Sequence, residues 1–209
     1  MADSKMMPLD ESALTKVTGG AFQQGTAGND TLGGSTNADV IFAGGGNDQV
    51  AAGAGNDQIY SEGGNDYIQA GSGNDFVYGG TGQDTLYGGA GSDQLHGEDG
   101  NDHLDGGAGD GAADLALGGA GSDNFIWGPG DGNDEFRGGD GTDTLQVVGM
   151  SMEQLVASLA LDAQGLQMQV SDNIVSFVDA AGNPATLSGT VTFGGETLRF
   201  SEVERIRLG

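Results

Sequence analysis

The sequence predicts an all-β protein: a parallel β-solenoid followed by a small C-terminal cap of short strands and one helix. Three observations lead there. Nine aspartates, Asp30, Asp39, Asp48, Asp57, Asp66, Asp75, Asp84, Asp93 and Asp102, recur every nine residues without a slip. Two positions after each stands an aliphatic residue, Leu32, Ile41, Val50, Ile59, Ile68, Val77, Leu86, Leu95 and Leu104. Two positions before each stands a glycine, Gly28, Gly46, Gly55, Gly64, Gly73, Gly82, Gly91 or Gly100, with Asn37 the single departure. A fixed period of this kind marks a repeat architecture, in which each unit buries its apolar side only against its neighbours.

Composition narrows the remaining classes. The chain has 209 residues, 43 of them Gly and none Cys, and a formal charge of −25. Lack of cysteine excludes a disulfide scaffold and thiolate metal sites. No apolar run approaches the roughly 18 residues of a membrane span. Phosphates of nucleic acids and anionic lipid heads are repelled by such a surface, so neither nucleic acid nor membrane insertion is expected, and cations are the natural partners. Collagen is excluded by the 3 prolines and by glycines that do not fall at every third position.

Each residue of the unit has a physical task. Glycines let a six-residue turn reach positive φ and bring carbonyl oxygens together, and the Asp adds a carboxylate to the same place. An aliphatic residue between two solvent-tolerant neighbours is a short strand with one side chain inward. After Asp102 the frame stumbles at Gly111 and resumes through Asp114, Asp123, Asp134 and Asp143 with short insertions.

Clean copies read GGTGQDTLY from Gly79 and GGAGSDQLH from Gly88. They resemble GGxGxDxUx, the nonapeptide of RTX (repeats-in-toxin, hemolysin-type) calcium-binding proteins. That resemblance implies a right-handed parallel β-roll over residues 21–145, with two nonapeptides per 18-residue coil and calcium between turns stacked one coil apart. It pairs Asp30 with Asp48, Asp39 with Asp57, and so on to Asp84 with Asp102. It also implies metal ligation by Asp114, Asp123, Asp134 and Asp143 and by turn carbonyls including those of Gly46, Gly55, Gly64, Gly73, Gly82, Gly91 and Gly100. About six to ten Ca²⁺ ions of extracellular-type affinity are expected.

The charge balance supports a metal independently of the resemblance. Residues 28–145 hold 18 Asp and 3 Glu against Arg137 alone, a net of −20. Stacked about 4.8 Å apart, those carboxylates repel one another without counterions. Hard oxygen ligands of mixed carbonyl and carboxylate type suit Ca²⁺ better than transition metals or Mg²⁺. The plainer alternative is a series of solvated Asp-Gly turns without metal, since turn chemistry alone favours Asp, Asn and Gly.

Residues 1–20 lack the apolar core of a Sec signal. They resemble a double-glycine leader of the bacteriocin type, with Leu9, Leu14 and Val17 ahead of Gly19-Gly20 and Ala13 where such leaders have Glu. The resemblance implies cleavage after Gly20 and export by an ABC transporter of the type I machinery; the alternative is an amphipathic N-terminal helix with a Gly-Gly stop.

From residue 146 to 209 the pattern is that of a cap. Ser151 and Gln154 form a capping box, Met152, Leu155, Val156 and Leu159 recur at helical spacing, and Gly165 is placed to end the helix. Alternation predicts strands at 166–170, 174–178, 190–193 and 197–200, with a turn at Gly182-Asn183-Pro184. The ending FSEVERIRL resembles segments that close RTX regions, and an uncleaved C-terminal secretion signal is compatible with a cap. Arg199, Arg205 and Arg207 are placed to face the acidic roll.

No motif for catalysis is present. There is no GxSxG, HExxH or Cys nucleophile, and His96 and His103 fall on opposite sheets in the coil frame. Phe42, Tyr60, Tyr78 and His96, spaced by 18, are expected to form a ladder on one outer face. Such a ladder either stabilises the solenoid by stacking or offers a contact surface to a second copy, a glycan or an extracellular polymer. The expectation is a secreted, non-enzymatic bacterial calcium-binding protein acting extracellularly as a structural, biofilm-matrix or adhesion-type component. The second reading is a secretion or accessory module of a larger RTX effector or enzyme.

Overall fold

The computed structural model describes residues 20–209; the leader resemblance falls on residues that lie, except for Gly20, outside those described. The chain winds between two parallel sheets, alternating at every nonapeptide. One sheet contains β1 (Phe22–Gln24), β3 (Val40–Phe42), β5 (Gln58–Tyr60), β7 (Phe76–Thr81), β9 (Gln94–Asp99), β11 (Leu115–Gly121) and β13 (Glu135–Gly141). The other contains β2 (Thr31–Gly33), β4 (Gln49–Ala54), β6 (Tyr67–Ser72), β8 (Thr85–Ala90), β10 (His103–Asp105), β12 (Asn124–Trp127) and β14 (Thr144–Val147). The solenoid expected from the nonapeptide period is therefore formed.

Register follows the repeat. Ile41, Ile59, Val77 and Leu95 are successive partners in one sheet, and Val50, Ile68, Leu86 and Leu104 in the other. All eight are at most 2% exposed, a single column of aliphatic side chains from each sheet. Each nonapeptide turns its aliphatic residue inward, followed two positions on by a small one such as Ala43, Ala52 or Ala70, so a one-residue slip would replace the column by outward-facing residues such as Gln58, Tyr78 and Thr85. Shortening one column member without changing its shape, as in Ile68→Val, is expected to cost about 0.5–1.5 kcal/mol of calcium-loaded stability in denaturant melts.

The frame change after Asp102 is absorbed without loss of register. Leu95 pairs with Ala116 and Leu104 with Phe125, and then Ala116 with Phe136 and Phe125 with Leu145. The extra residues leave as turns; a Cβ at Gly109 or Gly111 would meet open space. Inside, the late coils hold larger groups. Phe125 and Phe136 stack with ring centroids 5.1 Å apart, and Ala116, the small member of the column, pairs with Phe136.

The aromatic ladder forms as expected. Phe42 and Tyr60 stack at 4.9 Å, Tyr60 and Tyr78 at 5.6 Å, and Tyr78 and His96 at 4.5 Å, the first two pairs within 11° of parallel. Ring faces are thus turned to one another along the axis, which adds neighbour-to-neighbour attraction between coils.

Three expectations for the tail need correction. The helix, α1 (Met152–Ser158), has the expected Ser151/Gln154 capping box but stops at Ser158 and does not run to Gly165. Leu159 is extended and opens β15 (Leu159–Leu161), which pairs antiparallel with β18 (Leu187–Phe193). An open sheet edge offers backbone partners that end the helix early. Residue 145 is also not the end of the parallel sheets. β19 (Glu196–Val203) adds in parallel to β13, and β20 (Arg205–Leu208) in parallel to β14, so the last coil is made from the end of the chain. The intervening residues supply the antiparallel outer strands, β15 and β18 on one sheet and β16 (Gln167–Ser171) and β17 (Ile174–Val178) on the other. This covers edges that a bare solenoid would leave unpaired. Arg199, Arg205 and Arg207 are exposed and do not pair with the acidic columns as expected.

Candidate metal centre

Each nonapeptide turn is shaped by its glycines. Gly82, at φ +131°, leaves no room for a side chain: a Cβ there would overlap the carbonyl of Gly64 one coil earlier. Gly64, Gly73, Gly91 and Gly100 make the same close approach to the carbonyls of Gly46, Gly55, Gly73 and Gly82. Turn carbonyls are therefore stacked in columns, as expected from the sequence.

Between those columns stand the aspartates. Asp39, Asp48, Asp57, Asp66, Asp75, Asp84, Asp93, Asp102, Asp114, Asp123, Asp134 and Asp143 are all buried, none more than 4% exposed. One oxygen of each carboxylate ties adjacent coils. The Asp66 N–H donates to Asp84 Oδ1 at 2.8 Å, and Asp75 N–H to Asp93 Oδ1 at 2.7 Å. Past the insertions the rule persists, Asp93 to Asp114, Asp102 to Asp123, Asp114 to Asp134 and Asp123 to Asp143, each at 2.8 Å. The structure thus brings together the pairs that the RTX resemblance implies, Asp30 with Asp48 through Asp84 with Asp102, and joins the later aspartates in the same way.

The second oxygen is different. Oδ2 of Asp48, Asp57, Asp66, Asp75, Asp84, Asp93, Asp102, Asp114, Asp123 and Asp143 is buried without a hydrogen-bond partner. Ten such atoms are not tolerated in a folded protein without compensation, because a buried unpaired carboxylate loses its hydration and gains nothing in return. Burial accordingly pushes the carboxyls upward: Asp93 to about 8, Asp66, Asp102 and Asp134 to about 7, Asp75, Asp84, Asp114 and Asp143 to about 6. Neighbouring aspartates in the column add to the rise for most of them. No basic side chain relieves it: among the described residues the ion pairs are Arg137 with Glu135 and His96 with Glu98, both off the columns.

The donor set suits a hard cation. The position a Cβ would take on Gly79 is 2.6 Å from Asp84 Oδ2 and 2.9 Å from the Gly97 carbonyl oxygen. On Gly97 the equivalent point is 2.5 Å from Asp102 Oδ2 and 2.6 Å from the Gly118 oxygen. Each gap is walled by oxygens from two successive coils. Among the described residues no three His, Cys, Asp or Glu side chains converge on a metal position, so the backbone has to supply much of any coordination. Mixed carbonyl and carboxylate coordination is calcium's preference, and imidazole or thiolate metals find nothing here.

The first two aspartates stand apart. Asp30 Oδ2 accepts from the Thr26 N–H and hydroxyl at 2.6 and 2.8 Å, and Asp39 Oδ2 from the Ser35 N–H at 2.5 Å. Sequence reasoning also missed the residue before each Asp. Asn29, Asn47 and Asn65 form a second column in which each Oδ1 accepts from the backbone N–H one coil later, at 2.9 to 3.0 Å, and Asn56, Asn74 and Asn101 do the same elsewhere. Their fixed phase, one before Asp, was the available signal.

A family model for the RTX calcium-binding nonapeptide repeat matches four times, at residues 24–59, 52–86, 60–95 and 78–112. The chain carries RTX calcium-binding repeats. No curated protein matches it. The carboxylate columns continue past the matched repeats to Asp143, and among the described residues no helix is long and apolar enough to cross a membrane.

Proposed function

We propose that this RTX protein is exported unfolded and folds outside the cell when Ca²⁺ fills the gaps between its coils, then serves as a structural, matrix or adhesion-type component. The observation that carries this reading is the set of ten buried Oδ2 atoms with no partner. In this reading the ions are held by Asp48 through Asp143 of the two columns, with the turn carbonyls completing each site. Asp30 and Asp39, at the open end, are the weakest ligands because their Oδ2 atoms are already hydrogen-bonded.

Calcium works here as the counterion of folding. Where it is scarce, as in a cytosol, the buried charge opposes the compact state; where it is plentiful, binding adds directly to stability. An unfolded chain is also the form suited to a type I transporter, with residues 1–20 as leader and the tail as cap and secretion signal. Catalysis has no part in the proposal: His96 and His103 lie on different sheets, and the columns are occupied by structural duty.

A calcium titration of the purified chain followed by far-UV circular dichroism tests the proposal. Strand signal is expected to appear cooperatively on addition of Ca²⁺, with a midpoint on the order of 10⁻⁴ to 10⁻³ M, and to vanish with EDTA. A chain equally folded after exhaustive chelation at neutral pH overturns it.

A further inference from the structure

We propose that the last cation of the Asp143 column binds where the tail closes the roll, held by Asp143 Oδ2 together with two groups from outside the repeats, the Glu202 carbonyl oxygen and the Glu204 carboxylate. This site lies beyond the last nonapeptide turn and draws two of its three named ligands from the end of the chain. It rests on the reading that the aspartate columns bind Ca²⁺.

The register makes the site. Arg137 pairs with Ser201 and Thr144 with Arg205, so Gly138 stands opposite Glu202 and Asp143 opposite Glu204. A six-residue turn, 138–143, is thereby stacked on a turn of only three residues, 202–204. Glutamate's extra methylene makes up the lost length: Glu204 Oε2 accepts from the Asp143 N–H at 2.7 Å, the relation Asp143 Oδ1 has to Asp123 N–H at 2.8 Å. Glu204 is the last carboxylate of the column although it has no place in the nonapeptide frame.

The gap is present too. Asp143 is fully buried, and its Oδ2 has no partner. The missing Cβ of Gly138 would abut both Asp143 Oδ2 and the Glu202 carbonyl oxygen, just as that of Gly118 would abut Asp123 Oδ2 and the Gly138 carbonyl oxygen. Glu202 reaches this position at φ 57°, a left-handed conformation that side-chain-bearing residues rarely adopt. Residues 139–141 of a full turn have no counterpart in the tail, so carbonyl ligands are lost. Glu204 contributes charge in their stead, and no basic side chain pairs with it among the described residues.

A cation here fastens β19 and β20, and the antiparallel strands behind them, to the last repeat. Glu204→Gln in the full chain tests it, because the amide oxygen still accepts the Asp143 N–H while the charge is gone. At saturating calcium the variant is expected to match the parent's circular dichroism, bind one ion fewer by equilibrium dialysis, and show a folding midpoint shifted several-fold to higher Ca²⁺. If the variant is unfolded at the parent's saturating concentration, more calcium is expected to restore it with one ion fewer. Failure to fold at any calcium concentration assigns Glu204 a packing role and overturns the site, as do an unchanged ion count and midpoint. Glu153→Gln, on the exposed face of α1, is expected to change neither. A parent chain that binds no calcium removes the column reading itself, a result distinct from a fully loading variant.

Discussion

Stripped of calcium, the protein is expected to be unfolded above about pH 8 and to gain roll structure as the pH is lowered toward 5. Burial raises carboxyls in the middle of the columns of the folded chain, Asp93 to about 8, Asp102 to about 7 and Asp84 to about 6, against an ordinary value near 3.8. A raised acid binds more protons folded than unfolded. Its contribution is therefore lost as the pH rises through the folded value and is fully present only below the unfolded one. Several such groups act together, so the effect is large. With calcium bound the sign reverses over the same range, since protons and Ca²⁺ compete for the same oxygens. The folding midpoint in calcium is expected to rise as pH falls from 8 to 6. Circular dichroism of EDTA-treated and calcium-titrated samples across pH reads both arms. A metal-free roll that is intact at pH 8 and melts on mild acidification contradicts the account.

Asp84→Asn is expected to act in opposite directions in the two states. Asparagine keeps the oxygen that accepts the Asp66 N–H at 2.8 Å but sets an amide where Oδ2 stood beside the Gly97 carbonyl. In the calcium-loaded protein a charged ligand is removed from a buried site, which costs about 3–5 kcal/mol. In the metal-free protein at pH 8 the same change removes a buried, unpaired charge and favours the compact state. Denaturant melts with and without calcium, alongside exposed Asp162→Asn as control, read the two signs. Equal destabilisation in both states would mean that the carboxylate serves packing alone.

Much of this was legible because the period is uniform. The column from Ile41 to Leu104 and the ladder from Phe42 to His96 recur at nine and eighteen residues, and the RTX resemblance, which implies two nonapeptides per coil, supplied the aspartate pairs up to Asp84 with Asp102, since identical turns place identical residues at identical heights. Counting fails wherever a turn changes length. The pairing of Asp93 with Asp114 and of Asp143 with Glu204 depends on how many residues leave the coil as a loop, and loop length is invisible to a fixed period. The Ser151/Gln154 box was readable as local hydrogen bonding, whereas the early end of α1 was not, because β18 decides it from a distance.

By itself, then, the sequence determined the two-sheet winding, the inward aliphatic file and the acidic columns, all of which arise from contacts between neighbouring copies of one short unit. Only the tertiary structure decided that the final coil comes from residues 196–208, that Glu204 ends a column of aspartates, and that the Asp134 carbonyl accepts from the Arg199 N–H of the returning strand. Those outcomes depend on a chain segment that leaves the solenoid after Val147 and returns to satisfy open strand edges. The hydrogen bonds that draw it back exist only once the coils beneath have formed.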